Sequence, residues 1–300
     1  MAKNLDKEGL SSIVENYDIF YIDLWGVVHN GITLHKEAVK TLEQITKSKK
    51  DYVLLTNAPR PNKTVNSFLE KMGMNKEIRK KVYSSGEASL NYLKKNLLED
   101  KFYHVGPPRD FDLFLDFKKN KTLEIEESKY LLCTGLFEDQ GDNLNFYKEL
   151  FKDQINKKMI CTNPDLIVDR GHKRELCAGS VALVFEKLGG EVIYFGKPFP
   201  EVYNQAINNQ GKKVLSIGDN LNTDIKGANL LNYDSLIIAN GIHKDEIKKE
   251  GIDLVSKKYE VIVNFIQTEL KWWNMKLYKN FNVSNNHKNS IILIGNFDGV

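Results

Sequence analysis

Asp23, Thr56, Lys197 and Asp219 are the residues whose types and settings suit chemistry at phosphorus. Asp23 ends the apolar run IFYID and is followed by Leu24, Trp25 and Gly26. Thr56 closes YVLLT and precedes Asn57. Lys197 lies in GKPFP, just after VIYF, and Asp219 and Asp224 lie in GDNLNTD, just after VLSI. Each sits at the carboxyl end of an expected strand, the edge where open α/β sheets bind their ligands.

A carboxylate can attack phosphorus and split one difficult displacement into two easier ones through an aspartyl-phosphate. Nucleophile and phosphate are both anionic, so positive charge must bring them together. Magnesium does this with hard oxygen ligands, keeping several waters and taking one or two protein carboxylates. Asp23 and Asp219 suit that role. Lys197 would neutralise further charge, and Thr56 with backbone amides would hold the phosphoryl oxygens. Singly, each feature has an ordinary reading: an Asp after a strand caps or turns the chain, and Gly-Asp-Asn is a turn signal. Their order, all at one sheet edge, favours the chemical reading.

The elements that must position them show a regular rhythm. Residues 19–24 read as a buried strand, 35–48 as a helix with Ala38, Val39, Leu42 and Ile45 on one face, 52–56 as a strand and 63–72 as a helix. The rhythm returns with strands at 192–195, 214–217 and 235–239, helices at 200–210 and 223–231, and a closing helix at 259–270. Strand–helix alternation predicts an α/β fold with a Rossmann-like parallel sheet. The block between carries its own strands (YLLCTG, KMICTN) and helices (145–153, 178–188) and reads as an inserted α/β cap domain. The expected division is a discontinuous core, 1–84 and 190–270, a cap at 85–189, and a separate tail at 271–300. One large doubly wound sheet is the alternative.

Composition is that of an ordinary globular protein, 41% hydrophobic and 28% charged. A net charge of +3 argues against a broad nucleic-acid footprint. Cys133, Cys161 and Cys177 are widely spaced, which supports buried thiols and neither a zinc knuckle nor a disulfide framework. The polar N-terminus lacks the apolar run of a signal peptide, and no stretch approaches the roughly 20 apolar residues that cross a bilayer. The expected compartment is the cytoplasm, with no membrane partner.

At DLWGVVHNG, LLTNAPRP, CTNPD, YFGKPFPEVY and SIGDNLNTDIKGA the sequence resembles the haloacid dehalogenase (HAD) superfamily, within it the class IIA hydrolases with a large inserted cap. The resemblance spans about residues 15–265. It implies Asp23 as nucleophile and metal ligand, Thr56 and Asn57 at the phosphate, Lys197 as charge clamp, Asp219 as second metal ligand, and Mg2+ as cofactor. Asp224, with Asn220 beside it, would orient the metal's waters. Asn163 and Asp165 would lie at the cap junction and frame a small phosphorylated metabolite. A homodimer through the cap is a further expectation.

One departure matters. Phosphatases of this superfamily carry a second Asp two residues after the first, which protonates the leaving group and later activates water. Here that position is Trp25, as in what looks like a subgroup of class IIA proteins. An indole has one N–H donor and no useful basicity, although the Trp25 backbone carbonyl can still bind metal. General acid–base help is typically worth about 10²–10⁴-fold, so a slow enzyme is expected. His29 is a candidate substitute. A binding or regulatory protein with little turnover, and a phosphotransferase using the same intermediate, are the competing functions.

Other features carry weaker expectations. Arg170, His172, Lys173 and Arg174 form a basic cluster read as a solvated turn or a cap loop contacting an anionic substrate. His104, before Gly106-Pro107-Pro108, reads as a loop, and Trp272 and Trp273 as packing. The tail from Met275 ends in a fresh strand and GNFDGV, which resembles the opening of the nucleotidyltransferase domain of bifunctional riboflavin kinase/FAD synthetases. It reads as the truncated start of such a module, without FAD synthesis of its own.

Overall fold

The computed structural model describes residues 1–170 and 173–273. The expectations for His172 and for the tail beyond Met275 lie outside the described residues.

The main strands are β1 (Lys3–Asn4), β2 (Ile19–Ile22), β3 (Asp51–Thr56) and β4 (Val82–Ser84). A middle segment contributes β5 (Phe102–Val105), β6 (Tyr130–Cys133), β7 (Lys158–Cys161), the pair β8 (Ile167–Arg170) and β9 (Lys173–Leu176), and β10 (Glu191–Tyr194). The chain returns through β11 (Val214–Gly218), β12 (Asp234–Ile238) and β13 (Phe265–Gln267). Seven of these form one sheet in the order β1-β13-β12-β11-β2-β3-β4, every neighbour parallel. A second parallel sheet has the order β10-β7-β6-β5, and β8–β9 is a separate antiparallel hairpin. This is a Rossmann-like α/β core with a cap, and two separate sheets exclude the single large one.

The β2 strand shows why the sheet is central. All four of its residues are buried, as in a strand covered on both faces. Phe20 and Ile22 point with Leu54, Leu215 and Ile217 into one hydrophobic cluster. Ile19 and Tyr21 point with Val53, Leu55 and Val214 into another, which also holds Phe102, Phe117 and Leu132 from the middle segment. Full burial of such a side chain contributes about 1.5–3 kcal/mol. The cap therefore rests on one face of the core sheet through shared apolar packing. The crossover helix Lys36–Lys47 buries Ala38, Leu42 and Ile45 at helical spacing, as its sequence predicts. The three cysteines are buried free thiols. Among the described residues no helix is long and apolar enough to cross a membrane.

Three expectations need correction. The strand expected in the core at 192–195 is β10, which pairs with β7 at the edge of the cap sheet. An apolar run shows that a strand exists but not which sheet it joins. The closing helix expected at 259–270 is instead a shorter helix, Ile252–Lys258, followed by β13. There the backbone pairs with β12 and β1, and Gln267 Nε2 donates to the Lys271 carbonyl at 3.1 Å. The nearly continuous apolar run VIVNFI fits a strand as well as a helix. His104 lies inside β5, where its ring packs against Phe114 at 4.8 Å, tilted by 57°, and Nε2 meets Thr134 Oγ1 at 2.8 Å. Of the two adjacent indoles, Trp272 packs against the first cluster and Trp273 is 54% exposed.

Candidate active site

Register brings the expected residues together. Ile22 pairs with Ile217 on one side and Leu54 on the other, so Asp23, Asp219 and Thr56 emerge side by side at the carboxyl edge. The Asp23 N–H continues the ladder, donating to the Ile217 carbonyl at 2.8 Å.

Lys197 reaches this edge from the cap sheet. Its ammonium donates to Asp23 Oδ1 at 2.5 Å, Asp224 Oδ1 at 2.7 Å and the Leu55 carbonyl at 2.9 Å. An ammonium has three donors, and here all three are used in a buried setting. Asn57 fixes the lysine's backbone: its Oδ1 accepts from Lys197 N at 2.7 Å and its Nδ2 donates to Lys197 O at 3.0 Å. The same Nδ2 donates to Asp165 Oδ1 at 3.0 Å, and Asn163 Oδ1 accepts from Asp165 N at 3.0 Å. The cap-junction residues thereby join the Asn57 hydrogen-bond network beside the site. The Asn57 side chain, expected at the phosphate, is engaged with protein groups. Thr56 is buried, with Oγ1 accepting from Ala58 N at 3.3 Å.

Asp219 directly follows β11, and Asp224 lies on the single π-helical turn that comes next, Leu221–Ile225, a feature frequent at functional sites. Asp224 Oδ2 accepts from Asn220 N at 3.1 Å, so both its oxygens are held. Asp219 Oδ2 accepts from Ile242 N at 2.9 Å. Sequence reasoning missed the backbone that encloses this carboxylate. A Cβ on Gly26 would lie 2.1 Å from Asp219 Oδ2, and one on Gly241 would lie 2.1 Å from Asp219 Cβ. Gly26 also has φ +83°, which a side chain would strain. Gly26 stands three residues after Asp23, and that spacing was the available signal. Gly241 carried none.

The electrostatics are lopsided. Ligand oxygens of Asp23, Asp219 and Asp224 all lie within 4.8 Å of one another, and all three residues are buried. Burial pushes Asp23 up to about 7, against the pull of Lys197 and with further upward pressure from Asp224 and Asp165. Asp219 is raised well above the carboxylate range by burial, then by Asp23 and Asp224. Asp165 is pushed up to about 6, chiefly by desolvation. Desolvation opposes the charge on Lys197, but Asp224 and Asp23 outweigh it and hold the amine protonated. One cation cannot offset this many buried carboxylates. The oxygen-only donor set and its excess negative charge fit a hard divalent cation.

Trp25 does not lie idle. Its indole Nε1–H donates to the Asp169 carbonyl on β8 at 2.6 Å, and its ring meets His29 edge-on at 5.2 Å. His29 is a poor substitute acid. Its Nδ1 accepts from Gly31 N at 3.0 Å, its ring also packs on Phe68, and burial pulls it down to about 4. Of the basic cluster, Lys173 and Arg174 lie on β9, with Asp169 opposite Arg174.

A parallel core sheet with aspartates and a lysine at its carboxyl edge, covered by an inserted second sheet, defines a capped Rossmann-like protein whose site suits chemistry at phosphorus. Residues 20–117 match the profile of haloacid dehalogenase-like hydrolases, and 194–262 match a second profile of HAD-like hydrolases. A haloacid dehalogenase-like family hydrolase from Brucella suis 1330 is 30% identical with a TM-score of 0.72, over 79% of this chain and 90% of that one. Phosphoglycolate phosphatase 2 of Arabidopsis thaliana is 25% identical, over 79% of this chain and 88% of its own length. The dihydroxyacetone phosphatase of Corynebacterium glutamicum (strain R) is 24% identical over 77% and 84%. The chain belongs to the haloacid dehalogenase-like hydrolases.

Proposed function

We propose that this protein is a slow, magnesium-dependent phosphatase of a small phosphate ester, acting through an aspartyl-phosphate on Asp23. The observation that carries the reading is Lys197 bonded to both Asp23 and Asp224, with Asp219 in the same buried cluster. The two curated relatives are named for phosphatases of two- and three-carbon compounds, which supports a compact substrate.

In this reading Asp23, Asp219 and the Trp25 carbonyl hold the ion. When bound, it supplies charge neutralisation between nucleophile and phosphate. Asp23 attacks phosphorus, and the alkoxide leaves as the P–O bond breaks. Lys197 orients the Asp23 carboxylate and balances charge throughout. Water then attacks the phosphorus of the adduct, releasing phosphate and restoring Asp23. Neither proton transfer has a side chain at position 25 to help it, which makes both steps slow.

Incubation with p-nitrophenyl phosphate, phosphoglycolate and dihydroxyacetone phosphate, with hydroxylamine trapping, tests this directly. Slow turnover and a hydroxylamine-labile phosphate on Asp23 are expected; labelling that survives Asp23→Ala would sink the assignment. Asp219→Ala should lose the magnesium-linked rise in melting temperature, because a hard ligand goes. Retention of the full rise would place the ion elsewhere.

Trp25→Asp should raise kcat. Acid–base help is worth about 10²–10⁴-fold, whereas losing one hydrogen bond to the cap costs about 10-fold or less. The expected net gain is therefore at least about 10-fold. A folded variant with no gain on any substrate of the wild type would contradict the role assigned to position 25.

A further inference from the structure

The tryptophan that replaces the acid–base residue makes a contact an aspartate could not. Its N–H donates to the Asp169 carbonyl, on the outgoing strand of the cap hairpin. Asp169 stands opposite Arg174 in the hairpin register, and the guanidinium grips its carboxylate through Nε at 2.7 Å and Nη2 at 2.9 Å. The same Nη2 donates to the Ile242 carbonyl at 3.2 Å. Ile242 in turn presents its N–H to Asp219. One cross-strand pair therefore reaches two core loops, one following Asp23 and one holding Asp219. The base of the hairpin is fixed within the cap, where Cys177 N donates to Leu166 O at 2.9 Å and Ser180 Oγ donates to the same carbonyl at 2.7 Å.

We propose that Trp25 is a positioning residue which, with Arg174, ties the cap hairpin down across the loops that carry Asp23 and Asp219. The ring is fitted for the task. A Cβ on Gly31 would lie 2.5 Å from its far edge, so the loop closes tightly on the rim of the indole, with His29 edge-on to the ring. In this chain the position two residues after Asp23 docks the cap. The inference deepens the phosphatase reading, yet its main test does not depend on turnover.

Amide hydrogen exchange on the full chain is compared among wild type, Trp25→Phe and Arg174→Ala. Trp25→Phe keeps a ring and loses the donor; Arg174→Ala removes an exposed side chain and cuts the second tie. Each lost bond should speed exchange at Lys173–Leu176 by about 3- to 10-fold, with β2 amides unchanged, since the opening is local. With p-nitrophenyl phosphate, the accompanying loss in kcat/KM should fall more on KM than on kcat. Hairpin exchange at the wild-type rate in Trp25→Phe, or in Arg174→Ala should the first variant not fold, overturns the proposal. So does a loss confined to kcat. A wild type without phosphatase activity would defeat the functional reading and leave the exchange test standing.

Discussion

Lys197→Met is expected to lower turnover at least about 10³-fold and to cost roughly 3–5 kcal/mol of stability. The kinetic figure follows from removing a preorganised charge aimed at the reacting carboxylate. The stability figure is that of breaking a buried ion pair and leaving its partners uncompensated. Asp23 and Asp224 would face each other without the ammonium that now bonds to both. The loss should depend on pH with a definite sign. Lys197 is what pulls Asp23 down toward about 7, so without it the carboxyl rises further. A carboxyl raised in the folded state opposes folding once pH exceeds its unfolded value near 4. The variant should therefore be least stable in alkali and recover toward pH 5. Urea melts at pH 5 and 8, without metal, provide the measurement. Equal losses at both pH values, or turnover within tenfold of wild type, would contradict the clamp role.

Asp23→Asn should abolish the phosphate adduct and yet stabilise the metal-free protein. In the fold Asp23 has its pKa pushed up to about 7 from 3.8, so ionising it costs folding free energy. That cost is absent below about pH 4, grows as pH rises and levels off above about 7, reaching roughly 4 kcal/mol at most. Asparagine keeps the shape and removes the charge, leaving Lys197 paired with Asp224. In EDTA the variant's advantage should widen between pH 5 and 7. With magnesium the order should invert, because the ion binds and stabilises only the intact carboxylate set. A wild type more stable than Asp23→Asn at pH 8 in EDTA would show that the cluster is not the electrostatic liability described.

The sequence by itself determined the strands that end in Asp23, Thr56 and Asp219 and the chemistry those residues suit. Apolar runs such as IFYI and VLSI specify buried parallel strands because both faces must be apolar. Asp23 and Asp219, interrupting or ending such runs, had to emerge at the sheet edge. The tertiary structure decided what crosses from one sheet to the other. Residues 192–195 read as a core strand, yet hydrogen bonding to β7 places β10 in the cap, so Lys197 arrives from that side. Periodicity reports that a strand is buried; it carries no record of its neighbour. Asn57 looked like a phosphate contact, and only the folded chain shows its amide spent on Lys197 and Asp165, which are 140 and 108 residues away. Gly241 and the Ile242 amide around Asp219 belong to a loop with no motif, because backbone atoms bond without leaving a side-chain signature. Trp25 was legible only as a missing carboxylate. Its partner is a main-chain carbonyl 144 residues away, and a carbonyl is the one acceptor that every residue type provides.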